Sequence, residues 1–240
     1  LTYFRGGDLA IRTKSNVSDV VTRADRESEA LIVRMIAERF PDHAVLGEEG
    51  GTRGDAHGEW LWVVDPLDGT TNYSQGLPVF TVSIALQHRG ETVVGVVYAP
   101  HLEELYTATL GGGACMGRME GPQHPSRVAE KRTRGETGLA TGFPYDKVPT
   151  PDNKADNLAR TLPRTRGIRR YGSAAYDLCC VAAGFLDGYW ELALHVWDVC
   201  AGELIVREAG GAVRSLREDR GVSIVAGNET LIGEMLQYVR

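Results

Sequence analysis

Apolar residues fall along this chain in short runs and periodic stretches that predict strands and helices in mixed order. Trp60 to Val64 carries no polar residue before Asp65. A continuous apolar run of that length predicts a strand buried on both faces. Pro66 lacks the N–H that a ladder needs, so the strand is expected to end there. Upstream, Leu31, Ile32, Met35, Ile36 and Phe40 recur at helical spacing and predict one apolar helix face, closed by Pro41. Thr22 followed by Asp25 has the spacing of a capping box at the start of that helix. His43 to Leu46 reads as a short strand. Phe80 to His88, Thr92 to Tyr98 and Glu104 to Leu110 read as three more, until Gly111-Gly112-Gly113 breaks the pattern. Such a meander is not a pure strand–helix–strand succession.

The polar stretch Gly117 to Glu136 divides the chain into halves, 1–130 and 131–240. The second half predicts a strand near Gly138 to Thr141 and a helix over Asp152 to Leu162. A helix of small residues opens at Gly172-Ser173-Ala174-Ala175, and its first N–H groups are the kind of end that cradles an anion. A strand over Asp187 to Leu194 leads through His195-Val196-Trp197-Asp198 into a helix over Val199 to Ala209, with Gly210-Gly211 as its stop. Strands at Val213 to Leu216 and Val222 to Ala226 and an amphipathic helix over Glu229 to Val239 complete it.

Composition narrows the function classes. The chain has 240 residues and a net charge of −6, which argues against a general nucleic-acid binder. An acidic protein still binds phosphates where metal ions supply the positive charge. No run approaches the ~18 apolar residues of a membrane span. The opening Leu1-Thr2-Tyr3-Phe4-Arg5 lacks the charged and apolar regions of a secretion signal, and a start without Met is consistent with residues ahead of Leu1. Cys115, Cys179, Cys180 and Cys200 form no Cys-x-x-Cys pair and read as small buried hydrophobes. A reduced, cytoplasmic setting is the expectation.

The side chains that need a chemical account are Glu49, Asp65, Asp68 and Asp198, with Asp25 in support. Each has an ordinary reading. Gly47-Glu48-Glu49-Gly50-Gly51 alone is a solvated turn, and Asp25 and Asp198 are each placed to cap a helix. The Arg164, Arg166, Arg169 and Arg170 cluster reads as a solvated face, with a phosphate or subunit contact as the alternative. Gathered together, however, the acids repel: two unit charges 4 Å apart do so by about 4 kcal/mol at an effective dielectric of 20. Divalent cations remove that conflict, and oxygen-only ligands select magnesium over zinc. The six histidines are scattered, with His195 read as a packing or supporting residue. No Walker A loop, G-x-S-x-G or G-x-G-x-x-G is present.

Two long motifs carry a resemblance, Trp62-Val-Val-Asp65-Pro-Leu67-Asp68-Gly69-Thr70-Thr-Asn-Tyr73 and Trp197-Asp198-Val-Cys-Ala-Gly-Glu-Leu-Ile-Val-Arg-Glu-Ala-Gly-Gly211. With Val21-Thr22-Arg-Ala-Asp25, Gly47-Glu48-Glu49, Gly95-Val-Val-Tyr98, Thr141-Gly-Phe-Pro-Tyr145 and Gly172-Ser173-Ala-Ala175 in order, the chain resembles the inositol monophosphatase family from about Lys14 onward. The resemblance implies a layered αβαβα sandwich with the site between two halves, and a homodimer. It implies two or three magnesium ions per subunit, lithium sensitivity, and hydrolysis of a small phosphorylated alcohol, inositol monophosphate first. Fructose 1,6-bisphosphate, NADP, histidinol phosphate and a nucleotide 3′-phosphate are the alternative substrates. By motif position, Glu49, Asp65, Asp68, Asp198 and the backbone carbonyl of Leu67 would bind metal. Asp25, Thr70 and Glu49 would activate water. Gly69 and Thr70 would hold phosphate oxygens, and Ser173, Ala174, Glu191 and Asp198 would touch the substrate. Lys14 would steady the N-terminal region. A non-catalytic scaffold binding RNA or a transcription partner is the contrasting class, and the retained acids weigh against it as a sole function. No nucleic-acid or membrane partner is expected.

Overall fold

The computed structural model describes residues 1–6, 9–14, 20–130, 134–144 and 155–239. In the first half, β1 (Arg12–Thr13) pairs with β2 (Val20–Val21), and α1 (Arg23–Arg39) follows. β3 (Ala44–Gly47), β4 (Gly51–Arg53) and β5 (Trp60–Asp68) lead to the short α2 (Thr70–Ser74). β6 (Thr81–His88), β7 (Glu91–Ala99), β8 (Glu104–Thr109), β9 (Gly113–Gly117) and β10 (Gln123–Pro125) then run as an antiparallel meander. These strands form an eight-stranded sheet in the order β10-β9-β8-β7-β6-β5-β3-β4, with β3 parallel to β5.

The second half contributes β11 (Gly138–Thr141), α3 (Ala155–Thr161), β12 (Gly167–Arg169), α4 (Ala174–Ala182), β13 (Gly188–Leu194), α5 (Val196–Glu208), β14 (Ala212–Arg217), β15 (Val222–Gly227) and α6 (Glu229–Met235). Its five strands form a second sheet in the order β12-β11-β13-β15-β14. Residues 145–154 lie outside the described residues, and with them the first three positions of the helix expected over Asp152–Leu162; its later turns form α3.

The layers follow from which face each element buries. Val64 packs with Val33 and Ile36 of α1, whereas its neighbour Val63 faces the main core with Val199, Leu204 and Ile205 of α5. β5 is thus buried on both faces, as its unbroken apolar run requires. α4 and α5 lie between the sheets, and α6 covers the far side of the second through Leu231, Ile232 and Met235 against Leu139, Trp190 and Val225. The result is a layered αβαβα fold. Close approach in the middle layer depends on Gly95 of β7, where a Cβ would sit 2.8 Å from the Ala201 carbonyl oxygen of α5.

Three local expectations are corrected. β5 continues through Pro66 to Asp68, because a register shift against β6 between Asp65 and Asp68 leaves the proline outside the regular ladder. The glycines at 111–113 turn the chain into β9, with Glu208 of α5 accepting the N–H groups of Gly111 and Gly113, each at 2.8 Å. On α1 the buried face runs through Asp25, Glu29, Val33 and Ile36, while Leu31 and Met35 are 47% and 53% exposed. Two acids with hydrogen-bond partners in the interior set which face turns inward.

Candidate active site

The turn after β5 sits between the sheets; Asp65 and Asp198 are held there by local bonds and Asp68 by bonds from the start of α4. Asp65, 2% exposed, accepts the Leu67 N–H on Oδ1 at 2.9 Å. Asp68 accepts the Ser173 hydroxyl and the Ala175 N–H on Oδ2, at 2.7 and 2.8 Å. The anion cradled at the start of α4 is therefore the chain's own Asp68. Ser173 also caps α4, accepting the Tyr176 N–H. Asp198 accepts the His195 N–H on Oδ2 at 2.7 Å, so His195 is the N-cap of α5 and Asp198 the acid of its capping box. Among the described residues, no hydrogen bond engages the second oxygen of Asp65, Asp68 or Asp198.

These carboxylates line one cleft with Glu48, Leu67, Gly69, Thr70, Ser173, Ala174 and Glu191. Its free volume of about 140 Å³ compares with the ~10–15 Å³ that admits one water. Glu48, not Glu49, is the acid that the Gly47–Gly51 loop presents there. Glu49 was the expected ligand, and nothing in its side chain or local sequence separates it from its neighbour. Lys14 Nζ bonds both, at 2.7 Å to Glu48 and also to Glu49, and lines the cleft itself. Burial, the largest influence on Lys14, lowers its pKa, but the two glutamates outweigh it and leave the ammonium raised.

Burial pushes Asp65 well above the usual carboxylate range, with Glu48, Asp68 and Asp198 adding to the shift. Burial also pushes Asp68 up to about 7; its bonds to Ser173 and Ala175 oppose the shift, and Glu48 and Glu191 add to it. Asp198 is raised by burial and then by Asp68. A site that penalises its own negative charges is built to receive positive ones. Among the described residues, no three His, Cys, Asp or Glu side chains already surround one ion-sized point. The oxygens left over by these hydrogen bonds supply only hard donors, and that donor set suits magnesium.

Asp25, fully buried, resolves its two readings by using both oxygens. Oδ2 accepts the Thr22 N–H at 2.8 Å in the capping box, and Oδ1 accepts the Thr70 hydroxyl at 2.9 Å. Gly69, at φ 94°, makes the left-handed step from β5 into α2 that other residues rarely adopt. Glu191, almost buried, accepts the Tyr189 hydroxyl at 2.6 Å. Arg170 also lines the cleft and makes no ion pair or hydrogen bond with described residues. In the sequence only the arginine cluster 164–170 points to it. His195 lines the rim, stacked on Trp197 at 4.7 Å.

The model of the inositol monophosphatase family matches residues 1–237. The chain belongs to that family. It is 45% identical over 203 residues to an inositol-1-monophosphatase of Synechocystis, covering 85% of this chain and 69% of the relative. It is 44% identical over 211 residues to the Nus factor SuhB of Pasteurella multocida, covering 88% of this chain and 77% of that one. The crystal structure of extragenic suppressor protein suhB from Bartonella henselae superposes with a TM-score of 0.85 at 37% identity, covering 95% of this chain and 87% of the other. Membership makes the chain a phosphoric monoester hydrolase. All four cysteines of this phosphatase are free thiols, and no helix among the described residues is long and apolar enough to cross a membrane.

Proposed function

We propose that the protein is a magnesium-dependent phosphatase of small phosphorylated alcohols, with inositol monophosphate as its principal substrate. The observation that carries this reading is the set of buried and half-buried acids Asp65, Asp68 and Asp198, each tied through one oxygen and open at the other, around a cleft that also holds Thr70 of the Asp25–Thr70 pair. Glu48, Asp65, Asp68, Asp198 and the Leu67 carbonyl would hold two or three ions. Bound magnesium supplies Lewis acidity that lowers the pKa of an attacking water and stabilises the leaving oxygen.

The remaining work falls to the chain. The Thr70 hydroxyl donates a hydrogen bond to Asp25, which leaves its oxygen lone pairs free to accept a hydrogen bond from water. Glu48 accepts a hydrogen bond from the same water and orients it for in-line attack; the proton released as the new P–O bond forms passes to Glu48, and the departing alkoxide takes a proton from solvent as the ester P–O bond breaks. The Gly69 and Thr70 N–H groups hold phosphate oxygens as charge spreads over them. Ser173 holds Asp68, while Ala174, Glu191 and Asp198 bound the space for the alcohol.

Asp68→Asn is expected to remove at least 99% of magnesium-dependent turnover, on the order of the loss of one main electrostatic contact. Near-normal turnover would sink the assignment. Specificity constants for inositol monophosphate, fructose 1,6-bisphosphate, NADP, histidinol phosphate and a nucleotide 3′-phosphate decide the substrate. The protein would act in the cytoplasm as a homodimer, which light scattering of the purified protein tests. A regulatory scaffold role draws support from relatives named Nus factor; binding of a transcription partner should then persist in Asp68→Asn.

A further inference from the structure

Glu29 projects from α1, yet it is only 4% exposed. Its Oε2 accepts the backbone N–H of Glu49 at 2.8 Å. The carboxylate is pressed against glycine: a Cβ at Gly47 would lie 2.5 Å from Oε2, and one at Gly50 would lie 2.6 Å from Oε1. From the other side, the Glu48 N–H donates to the Val64 carbonyl of β5 at 3.2 Å. Two successive peptide groups of the loop are therefore fixed by partners outside it. These two anchors set where each of the neighbouring carboxylates points, with Lys14 Nζ bonded to both. Glu48 lines the cleft and Glu49 does not.

We propose that Glu29 is a positioning residue that selects Glu48 over Glu49 as the acid of the metal site. Asp25 stands one helical turn earlier on the same face of α1 and holds Thr70. One helix face thus sets both the water-orienting hydroxyl and the loop carboxylate. The glycines at 47 and 50 are the clearance that lets Glu29 reach the loop. The role given to Glu29 rests on Glu48 being a ligand.

Calorimetric titration of the metal-free protein with magnesium tests this without turnover. Glu29→Ala should weaken binding about 10–100-fold, the usual range for residues that orient a ligand. Glu29→Gln keeps an oxygen that accepts the Glu49 N–H and should restore most of the affinity. Gly47→Ala, whose methyl displaces the carboxylate, should reproduce the loss, and it serves as the probe if Glu29→Ala does not fold. A positioning role also predicts that Glu29→Ala and Glu48→Gln lose less together than the sum of their single losses, whereas Glu29→Ala and Glu49→Gln add. Wild-type affinity in both Glu29→Ala and Gly47→Ala, or simple additivity with Glu48→Gln, would overturn the proposal. Wild-type affinity in Glu48→Gln would instead overturn the ligand reading itself.

Discussion

Asp68 is the residue at which the fold's electrostatic tension is most directly measurable. Its carboxyl is pushed up to about 7, first by burial, while an unfolded aspartate ionises near the ordinary value of about 3.9. Between those two values the folded state holds the proton more tightly. Its stabilising contribution is complete below the unfolded pKa and is lost as pH rises through about 7. Asp65 and Asp198 are raised too and act in the same direction. Metal-free protein should therefore melt at a lower temperature at pH 8 than at pH 5.5, followed by circular dichroism. Magnesium at pH 8 should restore the loss, and Asp68→Asn should make the metal-free profile flatter. A melting temperature that rises steadily over this range would contradict the account. Glu48 and Glu49 mark the limit of reading at this scale. They are the same residue type in the same turn, and the bonds from Glu29 and Val64 that separate them come from distant parts of the chain.

Among the elements, α5 has two tasks that constrain each other. Its first turn supplies Asp198 to the cleft, and its body packs on the first sheet at Gly95, where backbone meets backbone. A side chain at Gly95 would press on the Ala201 carbonyl and could not be absorbed by a rotamer change. Gly95→Val should cost about 1–3 kcal/mol of stability, measured by urea unfolding. An unchanged midpoint and slope would show that α5 shifts without penalty. β5 was legible as a buried strand because its apolar run is unbroken. Its continuation past Pro66 was not, because a bulge depends on the register of β6. The inward face of α1 departs from its apolar periodicity for a related reason: Asp25 and Glu29 find hydrogen-bond partners in the interior, which outweighs the pull of Leu31 and Met35.

Across the whole molecule, the two sheets share the α4–α5 layer, and the cleft draws Asp65 and Asp68 from one side and Ser173, Glu191 and Asp198 from the other. Activity on inositol monophosphate should vanish with a chelator and return with magnesium. Millimolar lithium should inhibit the restored enzyme in a steady-state assay. Full activity after exhaustive chelation, verified by metal analysis, would rule out the proposed chemistry.

The sequence by itself determined the chemistry that is written locally. Asp65, Asp68, Gly69 and Thr70 lie within six residues, the capping box at Thr22 and Asp25 is a local spacing, and the two long motifs specify the family and its layered fold. Tertiary structure alone decided which glutamate enters the cleft, which face of α1 is buried, and that the anion at the start of α4 is Asp68. Each of those outcomes depends on a hydrogen-bond partner supplied by a distant segment. Local propensity carries no record of such a partner, because the free energy of a buried polar group is set by whatever the completed fold places beside it.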